Sequence, residues 1–175
     1  IYMKEEFNPS GENNWVYENS TTAAGIVGTE VVATNAPAYS GTLNGYELDG
    51  DRNAASKITI EADGSSVLKV YYKLIRYTLV FNINRSSGRI TMNGQTYSGS
   101  DYKIENVVLG EDVSDRWPAD NANEIYDSAT GYGKQYFRYW DGATGNYITK
   151  RYELVWDNVT GANSNHVQTY RGNWT

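Results

Sequence analysis

The stretch Ser65-Ser66-Val67-Leu68-Lys69-Val70-Tyr71-Tyr72-Lys73-Leu74-Ile75-Arg76-Tyr77-Thr78-Leu79-Val80-Phe81-Asn82-Ile83 decides how the chain is read. Side chains alternate between the two faces of a strand, so the first half sets Leu68, Val70 and Tyr72 on one side and Val67, Lys69, Tyr71 and Lys73 on the other. The first side is core and the second is partly wet. The second half repeats the pattern, gathering Tyr77, Leu79, Phe81 and Ile83 on one face. Only Leu74-Ile75-Arg76 separates the two runs, and no Gly or Pro loosens that junction. The expectation is a boundary with a short, stiff linker, dividing residues 1–75 from residues 76–175.

Toward the N-terminus, Tyr2 to Phe7 and Trp15 to Thr21 are β-prone, and Asn8-Pro9-Ser10-Gly11-Glu12-Asn13-Asn14 between them is a cluster of turn formers, so the pair reads as a hairpin. Gly28 to Ala33 reads as a short strand, Ala36 to Gly41 as the place for a helical turn, and Ile58-Thr59-Ile60 as a strand entering the turn Glu61 to Gly64. Toward the C-terminus, Arg89 to Met92 and Tyr97 flank Asn93-Gly94, the strongest short hairpin signal. Tyr102 to Leu109 reads as a strand. Asp112 to Trp117 opens with acid, spaces Val113 and Trp117 at i, i+4 and stops at Pro118, which predicts one or two helical turns. Tyr126 to Trp140 is aromatic but broken by Gly, and no single state is assigned to it. Tyr147 to Leu154 alternates again, and Gln168 to Trp174 closes the chain as a strand.

Composition narrows the function classes. Of 175 residues, 39% are hydrophobic and 14% aromatic, with 16 Tyr, 5 Trp and 17 Gly, which is the vocabulary of sheets and polar loops in a chain that folds. The net charge of −6 and the absence of any basic run longer than Lys150-Arg151 argue against nucleic acid as a partner. Zero cysteines remove disulfides, thiolate metal sites and thiol nucleophiles, and a single histidine, His166, removes most imidazole metal sites and triads. Absent cysteine fits a reducing cytosol or a bacterial surface equally. The chain starts at Ile1 without a basic or apolar leader and has no long apolar stretch, so it reads as a piece of a longer protein with no membrane insertion of its own. Charge also divides at the junction: residues 1–75 carry five basic and ten acidic side chains, net −5, and residues 76–175 carry ten and eleven, net −1.

Gly28-Thr29-Glu30-Val31-Val32-Ala33, then Tyr39-Ser40-Gly41, then Ala62-Asp63-Gly64-Ser65-Ser66-Val67-Leu68-Lys69-Val70-Tyr71-Tyr72 resembles, in order, the mucin-binding-protein (MucBP-like) modules of Gram-positive surface proteins. Residues 76–175 are similar to the internalin B-repeat, or Listeria–Bacteroides repeat, family. The opening Arg76-Tyr77-Thr78-Leu79-Val80-Phe81-Asn82, Gly110-Glu111-Asp112-Val113, Trp117-Pro118, Phe137-Arg138-Tyr139-Trp140 and the closing Tyr170-Arg171-Gly172-Asn173-Trp174 carry that similarity. This copy has Arg85-Ser86-Ser87-Gly88 where the family has Gly-Gly, and a longer stretch from Asn121 to Tyr136. The two resemblances imply an α+β, mostly β architecture of two tandem ubiquitin-like β-grasp modules, 1–75 and 76–175.

The candidate sites are few. His166 lies in Ala162-Asn163-Ser164-Asn165-His166 with no second ligand beside it, and is read as a solvated loop histidine. Asp49-Gly50-Asp51 offers two carboxylates where a calcium ion needs six to eight oxygens, and Arg52 follows, so it is read as an acidic turn. No nucleophile elbow, zinc-binding helix or phosphate loop occurs, no cofactor is called for, and nothing singles out a carboxylate pair for glycoside hydrolysis. Lys69, a residue type that forms isopeptide bonds in some bacterial surface domains, sits on the wet face and reads as an ordinary lysine. Four Asn-x-Ser/Thr sequons, at Asn19, Asn84, Asn158 and Asn173, are read as chance in so Asn- and Thr-rich a chain.

The aromatic run Tyr126, Tyr132, Tyr136, Phe137, Tyr139 and Trp140 exceeds what a scaffold needs. Tyr and Trp rings stack on sugars or anchor protein contacts while keeping a polar handle wet. Phe137 and Trp140 read as core. Tyr126, Tyr132, Tyr136 and Tyr139 are the candidate ligand-binding residues. Through the resemblance, the expectation is a non-enzymatic extracellular region of a cell-wall-attached surface protein that contacts a host glycoprotein or glycan beside neighbouring modules of the same polypeptide. A stalk without a ligand is the alternative, and an accessory domain of a secreted glycoside hydrolase a remote one.

Overall fold

In a computed structural model, the residues described are 1–85, 89–92, 95–98, 101–118, 124–127, 133–141 and 165–174. The chain is mostly β, 42% strand and 8% helix. It divides into two compact units, Ile1–Ile75 and Arg76–Thr175.

Unit 1 contains β1 (Tyr2–Glu6), β2 (Asn14–Asn19), β3 (Glu30–Val32), a 3-10 turn (Ala33–Asn35), β4 (Tyr46–Leu48), α1 (Gly50–Ala55), β5 (Lys57–Thr59) and β6 (Val70–Leu74). The main sheet runs β2-β1-β6-β4, and β3 pairs with β5 apart from it. Its first and last strands lie side by side and parallel, Tyr2 opposite Val70 and Lys4 opposite Tyr72. The β1–β2 turn is closed by asparagine side chains: Asn13 Oδ1 accepts from Asn8 N at 2.9 Å, and Asn8 Oδ1 accepts from Ser10 N at 3.0 Å.

One face of this sheet carries Tyr2 and Val70, packed with Ala33, Ala36, Tyr39, Leu68 and Tyr72. The core is built of tyrosines, so its hydroxyls need partners. Tyr2 Oη donates to Pro37 O at 2.8 Å, and Tyr72 Oη accepts from Tyr39 N at 3.1 Å. Leu68 and Tyr72 thus share the buried face with Val70, and Lys69 is exposed, although β6 itself starts only at Val70.

Two local expectations for unit 1 are corrected. The segment Ala36 to Gly41 forms no helical turn: Ala36 is extended, φ −72° and ψ 155°, as a residue before Pro37 tends to be. The α-helix falls instead on the stretch read as an acidic turn. Asp49 is its N-cap, its Oδ1 accepting from Arg52 N at 3.0 Å, and Asp51 adds a favourable negative charge in the first turn. Strand β4 had no counterpart in the sequence reading.

Unit 2 contains β7 (Tyr77–Asn82), β8 (Arg89–Met92), β9 (Gln95–Ser98), β10 (Tyr102–Val107), β11 (Glu124–Asp127), β12 (Gly133–Asp141) and β13 (Val167–Trp174). Its sheet runs β10-β7-β13-β12-β11, with β8 and β9 paired as a separate ribbon. Again the first and last strands are adjacent and parallel, Val167 opposite Thr78 and Arg171 opposite Asn82. Met92 pairs with Gln95, as a hairpin about Asn93-Gly94 requires, though residues 93 and 94 lie outside those described.

The face expected of β7 is buried, Tyr77, Leu79, Phe81 and Ile83 all being in the core and Phe81 completely so, and Val80 on the other face is covered as well. Around Phe81 stand Trp117 at 4.7 Å, Tyr170 at 5.1 Å, Trp140 at 5.2 Å and Tyr102 at 5.9 Å between ring centroids. Trp174 Nε1 donates to Ile83 O at 2.7 Å in the interior. Gly172 makes that approach possible, since a Cβ there would lie 2.5 Å from the same carbonyl oxygen.

Asp112 to Trp117 is a turn rather than a helix. Asp112 Oδ1 accepts from Ser114 N at 2.8 Å and Arg116 N donates to Val113 O at 3.0 Å, so an Asx turn leads into one i, i+3 turn, and Pro118 follows directly. Val113 and Trp117 are nevertheless both buried. His166 is not a free loop residue: partly buried at the entry to β13, its carbonyl accepts from Thr78 N at 3.0 Å and its ring lies 5.8 Å from that of Tyr77. The strand expected over Tyr147 to Leu154 lies outside the described residues.

Candidate binding surfaces

In unit 2, the described part of the aromatic run lies on two paired strands, with Tyr126 on β11 and Tyr136, Phe137, Tyr139 and Trp140 on β12. β12 pairs through its first four residues with β11, Tyr126 opposite Lys134 and Tyr136 opposite Glu124, and through the rest with β13. Residues directly opposite in an antiparallel pair share a face, as do positions two apart, so the positions of Tyr126 and Tyr136 fall on one face of the β11–β12 ribbon. Tyr139 lies further along β12, opposite Asn173, beyond a register shift between Phe137 and Tyr139. Tyr132 lies outside the described residues. Trp140 is buried against Phe81, as a core residue should be.

A second aromatic group lies on unit 1, on the sheet face opposite the tyrosine core. The register puts Tyr17 opposite Met3 and Met3 opposite Tyr71, so one row crosses β2, β1 and β6, with Trp15 opposite Glu5 next to it. Trp15 and Tyr71 meet edge to face, 5.1 Å between centroids and 88° between planes. Helix α1 holds the backbone that carries the second ring. Asn53, only 2% exposed, donates from Nδ2 to Tyr71 O at 2.9 Å and accepts at Oδ1 from Tyr71 N at 2.7 Å. Beyond the end of β4, Tyr71 O also accepts from Asp49 N at 3.0 Å, and Asn53 gives Tyr71 N its partner. One residue earlier, the Arg52 guanidinium carbon lies 4.6 Å from the Trp15 ring centre and 5.2 Å from that of Tyr71.

This second group escaped the sequence reading, which placed Tyr71 correctly on the partly wet face but had no means of setting Trp15 beside it. That contact needs β1 between β2 and β6 and a helix at residues 50–55, and neither is a property of neighbouring residues. The carboxylate of Glu5 is buried under the same face and fully engaged, Oε2 accepting from Leu74 N at 2.8 Å and Oε1 from Asn13 Nδ2 at 2.9 Å.

Among the described residues, no three His, Asp or Glu side chains gather where they could hold a metal ion, and no helix is long and apolar enough to cross a membrane. Comparison with protein-family models, with characterised proteins and with solved structures finds no significant match.

Proposed function

We propose that the chain is a non-catalytic pair of tandem ubiquitin-like β-grasp modules from the extracellular repeat region of a Gram-positive surface adhesin, contacting host mucin-type glycoproteins. What supports the fold part is the strand order, since in both units the first and last strands run parallel at the centre of the sheet with antiparallel neighbours outside them. The ordered motifs of both resemblances support the family part.

One observation carries the assignment of the contact to unit 2: the positions of Tyr126 and Tyr136 share a face of a ribbon formed where β12 runs beyond its pairing with β13. A ribbon of that kind holds rings on backbone that is hydrogen-bonded, which lowers the entropy lost on binding. Unit 2 is also nearly neutral, whereas the net −5 of unit 1 repels the acidic sugars of mucins.

The test is mucin binding by the double variant Tyr126→Ala/Tyr136→Ala, with the melting temperature measured on the same sample. Two stacked rings, each worth about 0.5–1.5 kcal/mol beyond buried area, should cost roughly tenfold in affinity while the melting temperature holds. Unchanged binding at unchanged stability moves the contact elsewhere, and a fall in stability makes the rings core. A wild-type chain that binds no mucin is a spacer.

A further inference from the structure

We propose that the Trp15–Tyr71 ring pair of unit 1 is a seat for an organic cation, occupied by the chain's own Arg52 and exchangeable with an arginine side chain of a basic polypeptide partner. This goes beyond the adhesive contact assigned to unit 2 and does not depend on it.

The occupant already present states what the rings accept. A guanidinium within about 6 Å of a ring centre is held by the ring's quadrupole, and Arg52 meets that distance for both rings at once, at 4.6 Å and 5.2 Å. Arg52 covers the rings without being buried, its side chain 47% exposed, and it pairs with Asp49, Nε to Oδ2 at the loose distance of 3.7 Å. Exposed contacts of this kind are weak, so the side chain can leave at small cost, and Asp49 and Asp51 remain beside it to hold its charge.

The rings themselves do not leave with it. Tyr71 is fixed through Asn53, and Trp15 lies on β2 in register with β1. The vacated seat therefore stays formed, flanked by the row Tyr17, Met3 and Tyr71, in which Tyr17 is 59% exposed.

Charge selects the class of occupant. Unit 1 carries five basic against ten acidic side chains, Asp49 and Asp51 stand on the helix that holds Arg52, and Glu47 on β4 is already paired to Lys73. Such a field draws a cationic segment and discourages an anionic sugar. A neutral sugar would have to displace the guanidinium to reach the rings and would gain nothing from the field.

The test uses the whole 175-residue chain and a blocked Gly-Arg-Gly-Arg-Gly peptide, with Gly-Gln-Gly-Gln-Gly as its neutral control. Trp15 is the sole tryptophan of residues 1–75, so the difference in fluorescence between wild type and Trp15→Phe reports the seat. Arg52→Ala should bind the arginine peptide about two- to fivefold more tightly than wild type, the range that one exposed cation–π contact is worth. Lys73→Ala removes the same charge from the same face without touching the rings and should give less than half that gain. Trp15→Leu in the Arg52→Ala background should abolish it, with affinity there and in Arg52→Ala measured by titration calorimetry, which needs no Trp15 signal. An Arg52→Ala gain no larger than that of Lys73→Ala, or one that survives Trp15→Leu, overturns the proposal.

If Arg52→Ala melts early, the indole N–H resonance of Trp15 in the wild-type chain gives the same answer. It should shift saturably with the arginine peptide and not with the glutamine peptide, and equal shifts with both overturn the seat. A mucin glycopeptide that displaces the arginine peptide from Trp15 would overturn the choice of occupant and make this face a carbohydrate surface.

Discussion

The two units share an arrangement of central strands but close it with different chemistry. Unit 1 fills its core with Tyr2, Tyr39 and Tyr72, ring centroids 5.3 to 6.5 Å apart, and returns hydroxyls to the backbone at Pro37 and Tyr39. Unit 2 fills its core with Phe81 ringed by two tryptophans and two tyrosines. Unit 1 ties the hydroxyls of Tyr2 and Tyr72 to directional bonds, whereas Phe81 at the centre of unit 2 relies on contact area and shape, with Tyr102 Oη donating to Arg116 O at 2.8 Å on its edge. The same difference governs the outer surfaces: unit 1 leaves aromatic side chains outside, under an arginine, while the described tryptophans of unit 2 are buried.

The sharpest way to break this comparison is Phe81→Ala. A large buried ring at the centre of an aromatic cluster should cost about 3–5 kcal/mol, enough to unfold unit 2 in many domains of this size. Tyr2→Phe in unit 1 keeps the ring and removes one hydrogen bond, so about 1 kcal/mol is expected. Urea unfolding separates the two, because Trp15 reports unit 1 and the other four tryptophans report unit 2. Similar losses would mean that the cores are not different in kind.

High pH separates the units in another way. Burial pushes the Tyr170 hydroxyl far above the usual tyrosine value of 10.0. A raised value in the folded state means full stability below about pH 10, lost as pH climbs toward the folded value, because the unfolded chain gives up its proton first. Tyr102 is also raised, by burial first and by Tyr97 second, which adds to the same alkaline loss. In unit 1 burial raises Tyr46, less far than Tyr170, so unit 2 should lose its near-UV signal first in an alkaline titration and Tyr170→Phe should delay it. Loss of the Trp15 signal first would reverse the ranking.

Next in size is Asn53→Ala. It strands Tyr71 N, which costs about 1–3 kcal/mol when left without a partner in the interior, while Tyr71 O keeps its bond from Asp49 N at 3.0 Å. Asp49→Ala removes only the cap of the same short helix and should cost about 1 kcal/mol. Both belong to unit 1, and both are read by Trp15 through Tyr71 and Arg52. An Asn53 effect no larger than that of Asp49 would show that water replaces the lost partners.

These residues also mark where sequence stops being legible. Tyr77, Leu79, Phe81 and Ile83 declare themselves by period two, and the core of unit 2 follows from them. The turn of Asn8 to Asn14 is legible because its residues carry their own hydrogen bonds. Helix α1 is not, since Gly50 and Asn53 are poor helix formers, and the segment gains its place from bonds to a strand 18 residues away. β4 is three residues long, too short for any alternation to show. The candidate site divides the same way. Tyr126 and Tyr136 are visible as an aromatic excess, but the strand pairing that brings their positions to one face is not, and Trp15 meets Tyr71 only through a parallel pairing of β1 with β6.

The smallest effect tests whether the contrast lies in the cores alone. Lys4 Nζ and Glu18 Oε2 stand 2.6 Å apart on the core side of the β1–β2 pair, at its rim, and the hydrogen bond to Glu18 raises the lysine above its usual 10.5 against a smaller opposing cost of burial. Short as it is, the pair keeps 33% and 21% of its side chains exposed, so solvent and salt screen it and Lys4→Gln should cost well under about 1 kcal/mol. A raised lysine stabilises fully at neutral pH, and that contribution fades as pH rises through the folded value, above 10.5. Unit 1 therefore has an alkaline loss of its own, added to that of Tyr46. In 1 M salt the difference between wild type and Lys4→Gln should vanish while the Phe81 and Asn53 effects persist. If Lys4→Gln instead costs as much as Asn53→Ala, an ion pair and not the tyrosine core would be holding the β1–β2 hairpin, and the contrast between the units would be electrostatic.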